Sequence, residues 1–184
     1  MRNSFLKCIF VFLFKMEFEI QKYKKMLQLN LPASQFRVKR TEKGFFIFDR
    51  FRKRYVKLTP EEWVRQHFLV YLIENKAYPE YLMAVEQQLN LHGMKKRCDA
   101  VFYDLQAKPQ VIIELKAPNI PITQAVFDQV AVYNSKLKVD YFMGSNGMEH
   151  FCCRVNTQTV SYEFFEGIPD YKEISLLAPL KGEF

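Results

Sequence analysis

Four side chains place charge where the surrounding sequence reads as apolar strand: Glu86, Asp99, Glu114 and Lys116. The segment VIIELKAP, Val111 to Pro118, ends an apolar run with a carboxylate and an ammonium two positions apart. Side chains alternate along a strand, so Glu114 and Lys116 share a face with Ile112, while Val111, Ile113 and Leu115 take the other. If residues 105–108 close a hairpin with Asp104 across from Pro109, Asp99 falls opposite Glu114. If His92-Gly93 is a two-residue turn with Leu91 across from Met94, Glu86 falls opposite Asp99. Three carboxylates from three neighbouring strands then form one row, with Lys116 one position along; a slip of one residue in either hairpin breaks it.

Like charges directly across from one another are destabilising unless something compensates them. A divalent cation is the natural compensation, and Mg²⁺ accepts one or two carboxylates beside phosphate oxygens while keeping several waters. A phosphodiester on such an ion is polarised, and a lysine beside it offsets developing negative charge. A lone Glu-x-Lys on a strand more commonly lies on a solvated face. Here VII before the pair and APNIP after it indicate a strand end instead. The similar spelling PDYK, Pro169 to Lys172, lacks a preceding apolar strand and reads as a surface turn.

The elements that must position these groups are legible from periodicity. QFRVKR and FFIFDR flank Thr41 to Gly44 and read as a basic β-hairpin. Thr59, Pro60 and Glu62 form a capping-box signal, after which Val64, His67, Phe68, Tyr71 and Leu72 repeat at helical spacing until Pro79. Strands are expected over Tyr81 to Leu91, Met94 to Asp104 and Gln110 to Lys116. A helix from about Pro121 to Lys136 follows, with Ile122, Val126, Gln129, Val130 and Tyr133 on one stripe. A fourth strand in VDYFMGSNG and two short ones, His150 to Val155 and Val160 to Phe165, complete the set. The fold class is α/β: a mixed central β-sheet flanked by helices in the order αβββαβ, with an N-terminal β-hairpin, and not a doubly wound parallel sheet.

The chain has 184 residues and a net charge of +7, unevenly placed. Residues 37–57 hold nine Lys/Arg against two acids, whereas 26–36 and 58–184 together are net negative. A basic segment on an acidic body points to a polyanion partner, or to a solvated basic hairpin. Cys8, Cys98, Cys152 and Cys153 have neither metal-ligand nor disulfide-framework spacing, which indicates reduced thiols and a cytoplasmic protein. Residues 1–25 read as an extension to a single domain over 26–184. Its apolar run is broken by Lys7 and too short to span a bilayer. An over-extended start, an added packing helix and a secretory or interfacial anchor all remain open for it.

At these residues the sequence resembles the PD-(D/E)XK nuclease superfamily, and more closely the N-terminal nuclease domain of type I restriction enzyme R subunits. RCDAVFYD is similar to that family's Arg-x-Asp strand, VIIELKAP to its Glu-x-Lys strand and QVAVYN to its Gln-x-x-x-Tyr helix motif. The resemblance covers roughly Met26 to Pro169 and implies a restriction-endonuclease-like core. It implies that Asp99, Glu114 and the Leu115 main-chain carbonyl ligate Mg²⁺, for which Mn²⁺ can substitute, and that Lys116 is the catalytic lysine. Gln129 and Tyr133 would orient the site or the DNA backbone, and Glu86, which matches an acidic position often found before the Asp strand, would be a further catalytic residue and metal ligand. Arg97 has two readings, a phosphate contact or a cross-strand ion pair; His92 and His150 are read as structural or exposed.

The expected function is a Mg²⁺-dependent endonuclease acting on nucleic acid, with double-stranded DNA as the expected substrate. Arg50, Arg52, Lys53 and Arg54, beside the basic hairpin, would track phosphates. The chain has no Gly-x-x-x-x-Gly-Lys-Ser/Thr loop, so motor activity is not carried over. The rival expectation is a nucleic-acid-binding module of nuclease fold that is inactive or cuts only with a partner. A homodimer, or partner specificity and motor subunits, fit either expectation; a membrane does not.

Overall fold

The computed structural model describes residues 28–91, 93–156 and 161–177. The expectations for residues 1–25 and for His92 lie outside them. Nine strands and three α-helices are described. β1 (Val38–Thr41), β2 (Gly44–Asp49) and β3 (Arg54–Lys57) form an antiparallel sheet of their own. α1 (Pro60–Asn75) follows, then β4 (Met83–Leu91), β5 (Met94–Tyr103) and β6 (Pro109–Leu115). α2 (Gln124–Leu137), β7 (Tyr141–Ser145), β8 (His150–Asn156), β9 (Ser161–Phe164) and α3 (Tyr171–Leu177) complete the order. The second sheet has six strands in sequential order, β4 to β9, and only β6 and β7 run parallel, joined through α2.

The αβββαβ order and the mixed sheet are as the periodicity indicates, with two differences. The N-terminal element is a three-stranded sheet, because Arg54 to Lys57 pairs with Phe46 to Asp49 where a two-stranded hairpin was expected. Pro169 and Asp170 lead into α3 and are not a plain surface turn; the Tyr171 N–H ties this entry to the Lys76 carbonyl. Helix α1 starts at the expected place, with the Thr59 hydroxyl accepting from the Glu62 N–H at 3.1 Å. The other half of the capping box is absent, since the Glu62 carboxylate is taken by Arg52, Arg65 and Gln66.

Burial on both faces explains the unbroken apolar run of β6. Val111, Ile113 and Leu115 pack with Val64, Phe68 and Leu72 of α1, while Ile112 packs with Val126, Val130 and Tyr133 of α2. The faces assigned from alternation are therefore the observed ones. No described helix is long and apolar enough to cross a membrane.

The β4–β5 hairpin changes face part-way along. Met83 and Val85 on β4, and Ala100 and Phe102 on β5, lie on the α1 side, whereas Leu89 and Cys98 lie on the α2 side. The break falls at one step, Glu86 with φ 54° across from Asp99. A glutamate in the left-handed region costs about 1–3 kcal/mol, a strain that concentrates at functional positions.

Candidate active site

Both hairpin registers assumed from the turn residues are found. Val85 pairs with Ala100 and Gln87 with Cys98, which sets Glu86 across from Asp99 at the one step without a ladder pair. Ala100 pairs with Ile113, which sets Asp99 across from Glu114. The end of the second hairpin differs, because Tyr103, not Asp104, faces Pro109, and a bulge between Phe102 and Tyr103 restores the register. Asp104 instead organises the turn, accepting from the Gln106 and Lys108 N–H groups.

β5 pairs with β6 only from Ala100 onward, and one residue earlier the Asp99 carboxylate takes the place of a main-chain partner: its Oδ2 accepts from the Leu115 N–H at 2.7 Å. Asp99 is thereby fixed to the strand carrying Glu114. Glu114 is buried, and its Oε1 accepts from Lys116 Nζ at 2.7 Å and from Gln129 Nε2 at 2.6 Å. Lys116 Nζ also reaches Gln129 Oε1 at 3.2 Å. Gln129 Nε2 donates to the Tyr133 hydroxyl at 2.7 Å, which donates to the Arg97 carbonyl at 3.0 Å. Glutamine and tyrosine one helical turn apart thus lock the Glu114–Lys116 pair from α2.

The second Glu114 oxygen, Oε2, is buried with no hydrogen-bond partner among the described residues. Burial, with the Asp99 charge beside it, pushes the Glu114 carboxyl up to about 7. Burial likewise raises Asp99 to about 6, against the Leu115 N–H, which lowers it. Two neighbouring carboxyls, buried and beside one another, resist ionising together.

The third member of the expected row does not join them. Glu86 is held by Arg65 and Arg97, with Arg52 at 3.5 Å, and these guanidiniums outweigh burial to keep its carboxyl below the usual range. Among the described residues no three His, Cys, Asp or Glu side chains converge as a metal cage. The row of three therefore reduces to Asp99 and Glu114, and the left-handed turn at Glu86 goes with its address to arginines.

Those arginines form one network with the β2–β3 loop. Arg52 pairs with Asp49, makes two 2.8 Å contacts to Glu62 and approaches Glu86; Arg65 bridges Glu62 and Glu86. Arg52 is only 16% exposed, so its expected place on a DNA surface is corrected to an internal brace. Arg50 is likewise engaged, by Glu80 at 3.0 Å through Nε and by Glu74 at 3.7 Å. Lys53 and Arg54 are exposed as expected. Arg97 makes the cross-strand ion pair, on Glu86, and 61% of its side chain is exposed. His150 is structural: its ring nitrogens contact Ser145 Oγ and the Asn30 carbonyl, each at 2.7 Å.

Sequence reasoning read Glu62 only as part of a helix cap and missed Arg65. Arg65 shares the α1 stripe of Phe68, Leu69 and Leu72, and a charge at i−3 and i−4 to buried residues was the available signal.

The family model for the type I restriction enzyme R protein N terminus matches residues 60–169. Among solved structures, a fragment described as an HsdR subunit of a type I restriction enzyme from Vibrio vulnificus is 15% identical, with a TM-score of 0.49. That alignment covers 65% of this chain and 25% of the other, so the chain spans about a quarter of that relative. A protein from Anabaena variabilis described as a nuclease of the DUF820 group is 13% identical, with a TM-score of 0.40, over 80% of this chain and 88% of that one. No curated protein matches significantly.

Proposed function

Because this chain belongs to the family of the type I restriction enzyme R protein N terminus, we propose that it is a restriction-type nuclease domain that hydrolyses DNA phosphodiester bonds with Mg²⁺. The observation that carries the reading is Glu114 Oε2, a buried acceptor with no hydrogen-bond partner among the described residues, beside the raised carboxyl of Asp99. An unsatisfied buried carboxylate oxygen costs stability, and a bound ion is one of the partners that can complete it.

Asp99, Glu114 and the Leu115 main-chain carbonyl would hold the ion, for which Mn²⁺ can stand in; when bound it would supply Lewis-acid polarisation of a phosphate oxygen and a more acidic water. Lys116 places a positive charge 2.7 Å from Glu114, where negative charge grows as a phosphodiester is attacked. Gln129 holds both groups and Tyr133 holds Gln129, so the charge pair is set before substrate arrives. Glu86 acts at one remove, balancing Arg65 behind the site.

Double-stranded DNA is the proposed substrate, and cutting both strands would call for two copies or for partner subunits. Nicking of supercoiled plasmid tests the reading. Cleavage by the wild type with Mg²⁺, blocked by EDTA and lost in folded Lys116→Ala and Asp99→Ala variants, is the expected result. Equal nicking by the variants would overturn the site. Salt-sensitive DNA binding without nicking would favour a module dependent on a partner subunit.

A further inference from the structure

The β1–β3 sheet turns one face to the body, where Ile47 and Val56 pack with Leu58 and Trp63. Its other face is laid out in two rows. Strand register sets Lys39, Phe46 and Lys57 side by side across the three strands. Arg37, Phe48 and Tyr55 form the adjoining row, the Phe48 N–H bonding to the Arg37 carbonyl at 2.9 Å. The Arg37 guanidinium lies 3.9 Å over the Phe48 ring centre and the Lys39 ammonium 3.9 Å over that of Tyr55. The two rings meet edge to face at 5.4 Å, and Tyr55 is 38% exposed. Three cations and three rings occupy the six positions, and no acid does.

Charge alone would suit any polyanion, but the rings narrow the choice. A duplex hides the faces of its bases in its own stack and offers a flat sheet only phosphates. An unpaired strand offers phosphates and free base faces together, and aromatic side chains interleaved with Lys and Arg answer both. We infer that this face binds a single-stranded stretch of DNA, with Lys39, Lys57 and Arg37 on phosphates and Phe46, Phe48 and Tyr55 stacking on bases. It rests on the nuclease reading only in taking the polymer to be DNA. Arg52, in the loop between β2 and β3, holds this face in fixed relation to Glu62 and Glu86 behind the site.

The test is fluorescence anisotropy with a 5′-labelled oligo-dT of about 20 nucleotides and with the same strand annealed to its complement, in EDTA so that no cleavage intervenes. The single strand should bind more tightly than the duplex. Phe48→Ala and Tyr55→Ala should each weaken single-strand binding about tenfold and leave duplex binding unchanged, whereas Tyr55→Phe should retain it. Lys39→Gln and Lys57→Gln should weaken both and lower the salt dependence, so the surface is tested even if an aromatic variant fails to fold. Tighter duplex binding, or folded aromatic variants that bind oligo-dT like the wild type, would overturn the proposal. Failure to bind either DNA would also overturn it and leave an acidic protein as the partner. Lys116→Ala should bind oligo-dT normally, so a failure here is separable from a failure of plasmid nicking.

Discussion

Glu86 and Asp99 stand across from each other in the β4–β5 hairpin, yet their carboxylates are addressed oppositely: Glu86 to Arg65, Arg97 and Arg52, Asp99 to the Leu115 N–H beside Glu114. One acid is neutralised by the protein and the other is left to share a site with a like charge. Glu86→Gln should therefore act on stability more than on metal binding. Arg65 keeps Glu62 but loses its second carboxylate, a cost of about 2 kcal/mol. Urea unfolding should show that loss, while Mg²⁺ titration calorimetry gives an affinity close to wild type. A complete loss of Mg²⁺ binding would restore Glu86 as a ligand.

Metal-free protein should lose stability as pH rises from about 4.5 to 7.5. Asp99 and Glu114 have folded-state values raised to about 6 and about 7, so the folded chain holds more protons than the unfolded one across that window. Their contribution is fully present below the unfolded values near 4 and is lost as pH rises through the folded values, gone by about pH 8. Glu114→Gln should accordingly raise the metal-free melting temperature at pH 8 by about 4 °C and flatten the slope. Thermal melts across pH, with and without Mg²⁺, check this; an unchanged slope in the variant would contradict it.

Tyr133→Phe removes the hydroxyl that joins Gln129 to the Arg97 carbonyl, and Gln129→Ala frees Lys116 and Glu114 together. Loss of such supporting bonds typically costs about 10- to 100-fold in activity or metal affinity. Plasmid nicking should fall by at least tenfold in both variants with DNA binding retained, and the glutamine change should be the more severe.

The cations of the β2–β3 segment should separate by role. Arg52→Ala should destabilise the fold, because Asp49, Glu62 and Glu86 lose a shared partner. Lys53→Ala and Arg54→Ala should leave the melting temperature unchanged. Each should reduce the slope of log affinity against log salt for DNA by about 1. A stable Arg52→Ala with the same reduced slope would return that residue to the DNA surface.

The charged pair and its registers were legible because they depend on turn residues and strand parity, both local. Leu91 across from Met94 follows from a two-residue turn, and Asp99 still faces Glu114 although the second turn is built differently, because the bulge at Phe102 and Tyr103 makes up the difference. The fate of Glu86 was not legible. Its partners come from α1, β5 and the β2–β3 loop, and nothing within a few residues of it records that three guanidiniums will converge there. Arg52 failed for the same reason: among four neighbouring cations in sequence, only packing decides which one turns inward.

The reach of Arg52 gives the family boundary a physical consequence. The matched segment begins at Pro60, but the guanidinium that neutralises Glu62 and Asp49 and backs Glu86 is supplied from outside it, as is the Thr59 hydroxyl that starts α1. A polypeptide trimmed to that segment would keep Asp99, Glu114 and Lys116 yet begin with an uncapped helix and an acid-heavy interior. The unit that can be transplanted or minimised is thus longer than the unit that is recognised, and it starts no later than the first strand of the small sheet.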